Sequence, residues 1–258
     1  MNRVAIVTGS GRGIGKGYAR ALADQGHRVV IADLQEDSAK QTADEIAAAG
    51  GTAMAVGVDV GNVESVAAMI EATTARFGAV DILVNNAALF GADIEFNPTG
   101  WDPIEGSLEQ YRRAMSVNVD SIVYCSRAVA PIMQGRGWGR IINQASAGVY
   151  YDIGNLYSLS KLAVIAITRM YAKALARSGI TVNALSPGMT VTEAILRRFP
   201  DEESGRAFAA SFATENIPMG RPAAVEDLIG PLLFLVSDAS AYVTGQNLSV
   251  DGGWLSRV

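Results

Sequence analysis

Seven short apolar runs alternating with longer amphipathic stretches constrain this chain more than any other feature. The runs fall at Arg3–Thr8, Arg28–Ala32, Ala53–Val58, Ile82–Asn85, Gly139–Asn143, Thr181–Leu185 and Asn247–Val250. Helical spacing fills the intervals, near 14–25, 35–49, 62–77, 107–133, 155–178 and 224–237; in the third, Val63, Val66, Ile70 and Phe77 share a face. Apolar strands separated by helices predict a parallel sheet covered on both sides. The expected architecture is α/β: one doubly wound domain over residues 1–258 with a seven-stranded parallel sheet. Right-handed crossovers then put a ligand crevice at the carboxyl ends of the strands. Two stretches on that edge, 89–107 and 188–222, read as irregular loops that wall or lid a substrate pocket.

Composition removes several classes of function. With 49% hydrophobic and 18% charged residues, the 258-residue chain can bury a large core, which excludes disorder. The net charge of −5 and the lack of a Lys/Arg cluster argue against nucleic-acid or membrane-surface partners. A single cysteine, Cys125, excludes a disulfide framework and multi-cysteine metal sites. The single histidine, His27, lies between a helix-ending glycine and an apolar run, which suits an ordinary loop position. No metal site is expected. The first strand begins almost at once, without the basic and apolar regions of an export signal, so a cytoplasmic protein is expected. The apolar stretch Ile229–Val236 contains Pro231 and is far shorter than the ~20 residues needed to cross a bilayer.

The turn after the first strand reads Thr8-Gly9-Ser10-Gly11-Arg12-Gly13-Ile14-Gly15 and opens a helix. Glycines there let backbone N–H groups and the positive helix end approach a pyrophosphate. A Walker A loop ending at Gly15-Lys16 would need glycine at 10 and Ser or Thr at 17, where the chain has Ser10 and Gly17. The second run ends at Asp33, where a carboxylate can accept both hydroxyls of an adenosine ribose. A 2′-phosphate ~5 Å away would be opposed by about 3 kcal/mol per unit charge at an effective dielectric of 20. NAD is therefore expected over NADP, with the Arg12 guanidinium as the one group pulling the other way. Asp59-Val60 and Asn86-Ala87 end the next two strands, where small residues let adenine and ribose lie against the sheet edge. Asp59 also suits a helix cap and Asn86 a turn amide.

Ser146 follows the strand ending at Asn143, and 11 residues later Tyr157-Ser158-Leu159-Ser160-Lys161 opens a long helix. Tyr157 and Lys161, at i and i+4, share a helical face. A phenol of pKa near 10 falls short as a base at neutral pH by roughly 4 kcal/mol. An ammonium ~5 Å away supplies on the order of 3 kcal/mol at an effective dielectric of 20. That pair makes acid–base chemistry available without histidine.

These segments, together with Asn85-Asn86-Ala87, Asn118, Pro187-Gly188 and Asp251-Gly252-Gly253, resemble the short-chain dehydrogenase/reductase family over essentially the whole chain. The resemblance implies a Rossmann fold, a nicotinamide dinucleotide and an Asn118-Ser146-Tyr157-Lys161 tetrad. Tyr157 then exchanges a proton with the substrate hydroxyl and Ser146 binds the substrate oxygen. Lys161 lowers the phenol pKa and holds the nicotinamide ribose, and Asn118 positions a water that relays protons. The cofactor set implied is Gly9, Arg12, Gly13, Ile14, Gly15, Asp33, Asp59, Val60, Asn86, Ala87, Tyr157, Lys161, Pro187, Gly188 and Thr190. Two departures are visible: Ala88 replaces the usual glycine, and the Ser146–Tyr157 interval is short, which reshapes the pocket floor near Val149, Tyr150 and Tyr151.

Ser146, Tyr150, Tyr151 and Met189 are the expected substrate contacts, with Leu89, Phe90, Phe199, Phe208 and Phe212 as further walls. That mostly apolar set predicts a neutral or weakly polar secondary alcohol or ketone, unless Arg197-Arg198 folds inward. Six apolar residues from Leu162 to Ile167 surround one helix, so a homo-oligomer is expected, and the family resemblance implies a tetramer. The leading function is hydride transfer between NAD and an alcohol/ketone pair. An NADPH-dependent 3-oxoacyl thioester reductase is the alternative among enzymes, and a non-catalytic dinucleotide-binding sensor or scaffold the alternative outside them.

Overall fold

Seven parallel strands form one sheet in the order β3-β2-β1-β4-β5-β6-β7. The computed structural model describes residues 2–90, 100–151 and 154–255. The strands are β1 (Val4–Thr8), β2 (Arg28–Asp33), β3 (Thr52–Gly57), β4 (Ile82–Asn85), β5 (Gly139–Gln144), β6 (Ile180–Pro187) and β7 (Asn247–Val250). All seven coincide with the apolar runs, and β1, β4, β5 and β6 are buried along their whole length. Residues of alternate parity in β1 face opposite sides: Val4 and Ile6 pack with one core, Ala5 and Val7 with the other.

Helices α1 (Gly13–Asp24) and α2 (Glu36–Ala48) bury Leu22 and Ile46 in the second of these cores. The first is closed by α3 (Val63–Phe77) and by α5 (Ser121–Arg136), which contribute Met69 and Met133. Helix α3 begins where Asn62 Oδ1 accepts from the Ser65 amide at 2.7 Å, and ends at Gly78, whose φ of 75° suits glycine. Within α3, Val66, Ile70 and Phe77 are buried as expected, whereas Val63 is exposed.

The helix expected over 107–133 is divided. Helix α4 (Leu108–Met115) passes through a π-helical turn at Ser116–Asp120 before α5 begins. Further on come α6 (Leu156–Leu175), α7 (Glu193–Leu196), α8 (Glu202–Asn216) and α9 (Glu226–Val236). The stretch 188–222 is thus not an irregular loop, because α7 and α8 occupy much of it. The buried face of α8 is Gly205, Ala209 and Ala213, too small to register as a hydrophobic stripe. Of the 89–107 loop, residues 91–99 lie outside the described residues. His27 sits just before β2, as expected, with its Nδ1 accepting from the Arg3 amide at 3.3 Å.

Asp81 ties the amino ends of three strands together. Its carboxylate, 1% exposed, accepts from the Val4 amide at 2.9 Å and from Arg136 Nε at 3.0 Å, while its carbonyl accepts from the Arg140 amide at 3.0 Å. Asp81→Ala leaves the Val4 N–H buried without that acceptor, at a cost of about 1–3 kcal/mol. The expected result is a lower midpoint in urea denaturation with an unchanged slope.

Candidate active site

The carboxyl ends of the strands open into one cleft of about 510 Å³. Order reversal in the sheet makes it: from β1 the chain crosses first to β2 and later to β4, on opposite sides, so the loops after β1 and β4 part. Every expected cofactor residue lines this cleft, from Asp33 at one end, through Gly9–Gly15 and Asn86-Ala87, to Tyr157, Lys161 and Pro187–Thr190 at the other.

Steric limits explain the glycine turn. A Cβ on Gly9 would lie 2.8 Å from Ala87 Cα, and one on Gly15 would clash with the Gly9 carbonyl oxygen. Gly13 has φ +57°. Helix α1 starts here with no acidic residue in its first turn and no side-chain cap, leaving its first N–H groups pointing at the cleft. Asn86 braces the turn by donating through Nδ2 to the carbonyls of Thr8 (2.9 Å) and Gly9 (3.0 Å). A close-approach glycine turn on a bare helix N-terminus fits a dinucleotide pyrophosphate.

Asp33 closes the far end. Its Oδ2 accepts from the Gly11 amide at 2.9 Å and its Oδ1 from the Gln35 amide at 3.0 Å, so the carboxylate is held at the tip of β2. Asp59 accepts from the Gly61 amide at 2.9 Å and pairs with Arg113 at 3.1 Å; the cap of α3 is Asn62 instead.

At the other end, Ser146 ends the strand segment and accepts from the Gly148 amide at 3.2 Å, capping a short 3-10 turn, Ala147–Tyr150. Its side chain is hydrogen-bonded to the Tyr157 phenol. Asn155 caps α6 by accepting from the Ser158 amide at 2.8 Å, which fixes where Tyr157 enters the helix. Lys161 is 2% exposed; its Nζ donates to the Gln144 carbonyl at 2.7 Å and stands 5.8 Å from the centre of the Tyr157 ring. Burial pushes the Tyr157 phenol up to about 12, against the pull of the Ser146 hydrogen bond. Burial also pushes the Lys161 ammonium down to about 8. The shared face is as expected, but in this state desolvation outweighs the Ser146 hydrogen bond, so the phenol is a weaker acid than in water.

Asn118 departs from its expected surroundings. It does not line the cleft: its Oδ1 accepts from the Leu89 amide at 2.7 Å, and its Nδ2 donates to the Leu89 carbonyl at 3.2 Å and Ser160 Oγ at 3.1 Å. The π turn aims it there, so the side chain locks the loop after β4 onto α6. Tyr150 also falls outside the cleft lining, with its hydroxyl accepting from Asn247 Nδ2 at 3.4 Å. Successive residues of a 3-10 turn diverge by about 120°, so Tyr150 and Tyr151 cannot face the same way. Tyr151 and Met189 do line the cleft.

The expected walls Phe199, Phe208 and Phe212 are likewise not in the lining. They stack among themselves, and Phe212 joins Tyr151 and Trp254 in an aromatic cluster with ring centres 5.1–6.0 Å apart. The cluster pins α8 beside the cleft, and Trp254 lines it although no sequence spacing pointed there. Phe90 packs on the Tyr157 ring at 4.8 Å, and Arg198 lines the same end with its guanidinium 5.5 Å from the Phe90 ring centre. Of the Arg197-Arg198 pair, expected to matter only if this segment folds inward, Arg198 does reach the cleft lining.

The two shifted groups have opposite consequences for stability. Lys161 in the folded chain gives up its proton near pH 8, whereas the unfolded chain keeps it to about 10.5. Its burial therefore costs stability below pH 8, and that cost fades as pH rises toward 10.5. Tyr157 keeps its proton to about 12 against 10.0 unfolded, so its share of stability is lost above pH 10. The stability difference between the native protein and Lys161→Met should shift in favour of the native protein between pH 8 and 10. Parallel denaturation series measure it; a constant difference would show that the ammonium is not desolvated.

Residues 9–255 match a family model described as enoyl-(acyl carrier protein) reductase. The chain is 38% identical to galactitol 2-dehydrogenase of Agrobacterium fabrum, across 99% of this chain and 98% of that one. It is 36% identical to 2-dehydro-3-deoxy-D-gluconate 5-dehydrogenase of Dickeya dadantii, across 100% and 97%. A solved structure from Beutenbergia cavernae, with NADP bound at low occupancy, superposes with a TM-score of 0.84 at 39% identity over 98% of this chain and 96% of that one. Among the described residues, no helix is long and apolar enough to cross a membrane. Fold, cleft and relatives agree: the chain belongs to the short-chain dehydrogenase/reductase family of NAD(P)-binding oxidoreductases, which act on CH–OH groups.

Proposed function

We propose that this protein interconverts a secondary alcohol and its ketone with NAD as the redox partner, and that Tyr157 carries the proton. The observation behind this reading is the trio at one end of the cleft: Ser146 bonded to the Tyr157 phenol, with the buried Lys161 ammonium 5.8 Å from the ring. Held by the glycine turn and Asp33, a nicotinamide dinucleotide would supply the hydride acceptor in oxidation and the hydride donor in reduction. Ser146 holds the substrate oxygen. Tyr157 removes the hydroxyl proton in oxidation and restores it in reduction. Lys161 favours the phenolate by its charge. Asn118 acts in this reading as a positioning residue, through Leu89 and Ser160, rather than as a direct water ligand. Residues 1–258 serve as one dinucleotide-binding and catalytic domain.

Asp33 supports NAD over NADP, because a carboxylate held at the tip of β2 would oppose a 2′-phosphate ~5 Å away by about 3 kcal/mol per unit charge; the Beutenbergia cavernae neighbour, by contrast, holds NADP. A homo-oligomer, most simply a tetramer, is supported by the exposed apolar stripe Leu159, Leu162 and Met170 on α6.

Two variants test this reading. Tyr157→Phe should lower kcat by 10²–10⁴-fold while NAD binding, followed by protein fluorescence, persists; full turnover would reject the phenol's role. Asp33→Ser should move the NAD/NADP ratio of kcat/KM toward NADP by about two orders of magnitude, the equivalent of ~3 kcal/mol. An unchanged ratio would remove Asp33 from cofactor choice.

A further inference from the structure

The end of the cleft that holds Tyr157 carries a cation that the proton-transfer reading does not use. Arg198 lies over the face of Phe90, and Phe90 packs on the Tyr157 ring, so the guanidinium carbon is no more than about 10 Å from the Tyr157 ring centre. A cation–π contact steadies a guanidinium without consuming any N–H donor. No carboxylate is paired with Arg198 among the described residues.

Other charges facing the cleft are committed elsewhere. Lys161 donates to the Gln144 carbonyl, and Arg113 is paired with Asp59 on the adenine side. The acid of the same segment, Glu193, has its Oε2 3.6 Å from where a Cβ on Gly13 would stand, over the phosphate turn rather than over Phe90. Among the described residues, an anionic substituent entering beside Tyr157 therefore meets the Arg198 guanidinium and no fixed carboxylate at that end. Phe90, Met189, Ile195 and Trp254 also line the cleft, and a guanidinium–carboxylate contact there is charge-assisted and can be bidentate.

We infer that Arg198 is a specificity residue for a carboxylate, and that the substrate class is hydroxy or oxo acids whose carboxylate lies roughly two to four carbon atoms from the reacting carbon. This inference rests on the alcohol/ketone reading above for what happens at the reacting carbon, but not for binding of the anion. It replaces the neutral alcohol that the apolar walls alone suggested.

The test uses matched pairs that differ in the acid group: D-gluconate with sorbitol, and 3-hydroxybutyrate with 2-butanol. Each compound is assayed for NAD-linked turnover and titrated calorimetrically into the full-length protein with NAD present, using the native protein, Arg198→Gln and Arg198→Lys. In at least one pair the acid should be favoured tenfold or more in kcat/KM or Kd. Arg198→Gln should shrink that preference by about 10- to 100-fold, with partial rescue by Arg198→Lys. Neutral partners favoured or equal in both pairs would overturn the inference, as would an acid preference that survives Arg198→Gln. Acid binding that depends on Arg198 but gives no NADH from any alcohol would keep the anion site and reject the hydride-transfer reading. Turnover of neutral alcohols alone would do the reverse.

Discussion

An ammonium buried at the carboxyl edge of a parallel sheet is the constraint on which the site depends. Lys161 is held by the Gln144 carbonyl at 2.7 Å, and burial has already drawn its pKa down to about 8. Burying a charge is costly, and a core lysine without a function would be replaced readily by an apolar residue of similar length. The same dry surroundings push the neighbouring phenol up to about 12. In this state the pair is an acid that will not dissociate beside a cation that is easily neutralised. Positive charge brought next to Tyr157 would favour its phenolate, so the proposed role of Tyr157 ties proton transfer to occupation of the cleft.

The fold places that pair where a dinucleotide would reach it. β1 lies between β2 and β4, so the loops after β1 and β4 separate, and the glycine turn occupies the gap. Asn86 from one loop donates to the carbonyls of Thr8 and Gly9 in the other, and Asn118 joins the loop after β4 to α6, the helix that carries Tyr157 and Lys161. Phosphate turn, sheet edge and reacting centre are thus connected by a short series of amide hydrogen bonds. Both asparagines have structural work here: the Asn118 side chain is engaged by Leu89 and Ser160.

What was legible in the sequence follows from what leaves a periodic trace. The strands were readable because a parallel sheet needs apolar runs, and the glycine turn, Asp33, Ser146, Tyr157 and Lys161 because each stands at a strand end or helix start. Helix α8 was hidden by its buried face of Gly205, Ala209 and Ala213, and the π turn at Ser116–Asp120 by a local hydrogen-bond shift with no composition of its own. Tyr150 was misread because adjacency in sequence resembles adjacency in a pocket until the backbone forms a 3-10 turn. Trp254 and Arg198 depend on long-range packing of the chain end and of the segment after β6. For Arg198 the sequence left its direction open, and it is the packing after α7 that brings its guanidinium to 5.5 Å from the Phe90 ring centre.

The most direct test is the ionisation of Tyr157 itself, followed by NMR of a ¹³Cζ-tyrosine-labelled protein during a pH titration, with and without saturating NAD. In the free protein the phenol should titrate near 12. In the complex it should fall by two units or more, as expected when about 3 kcal/mol of new electrostatic stabilisation reaches the phenolate. A Tyr157 signal that titrates at the same pH in both states would contradict the coupling between cofactor, lysine and phenol.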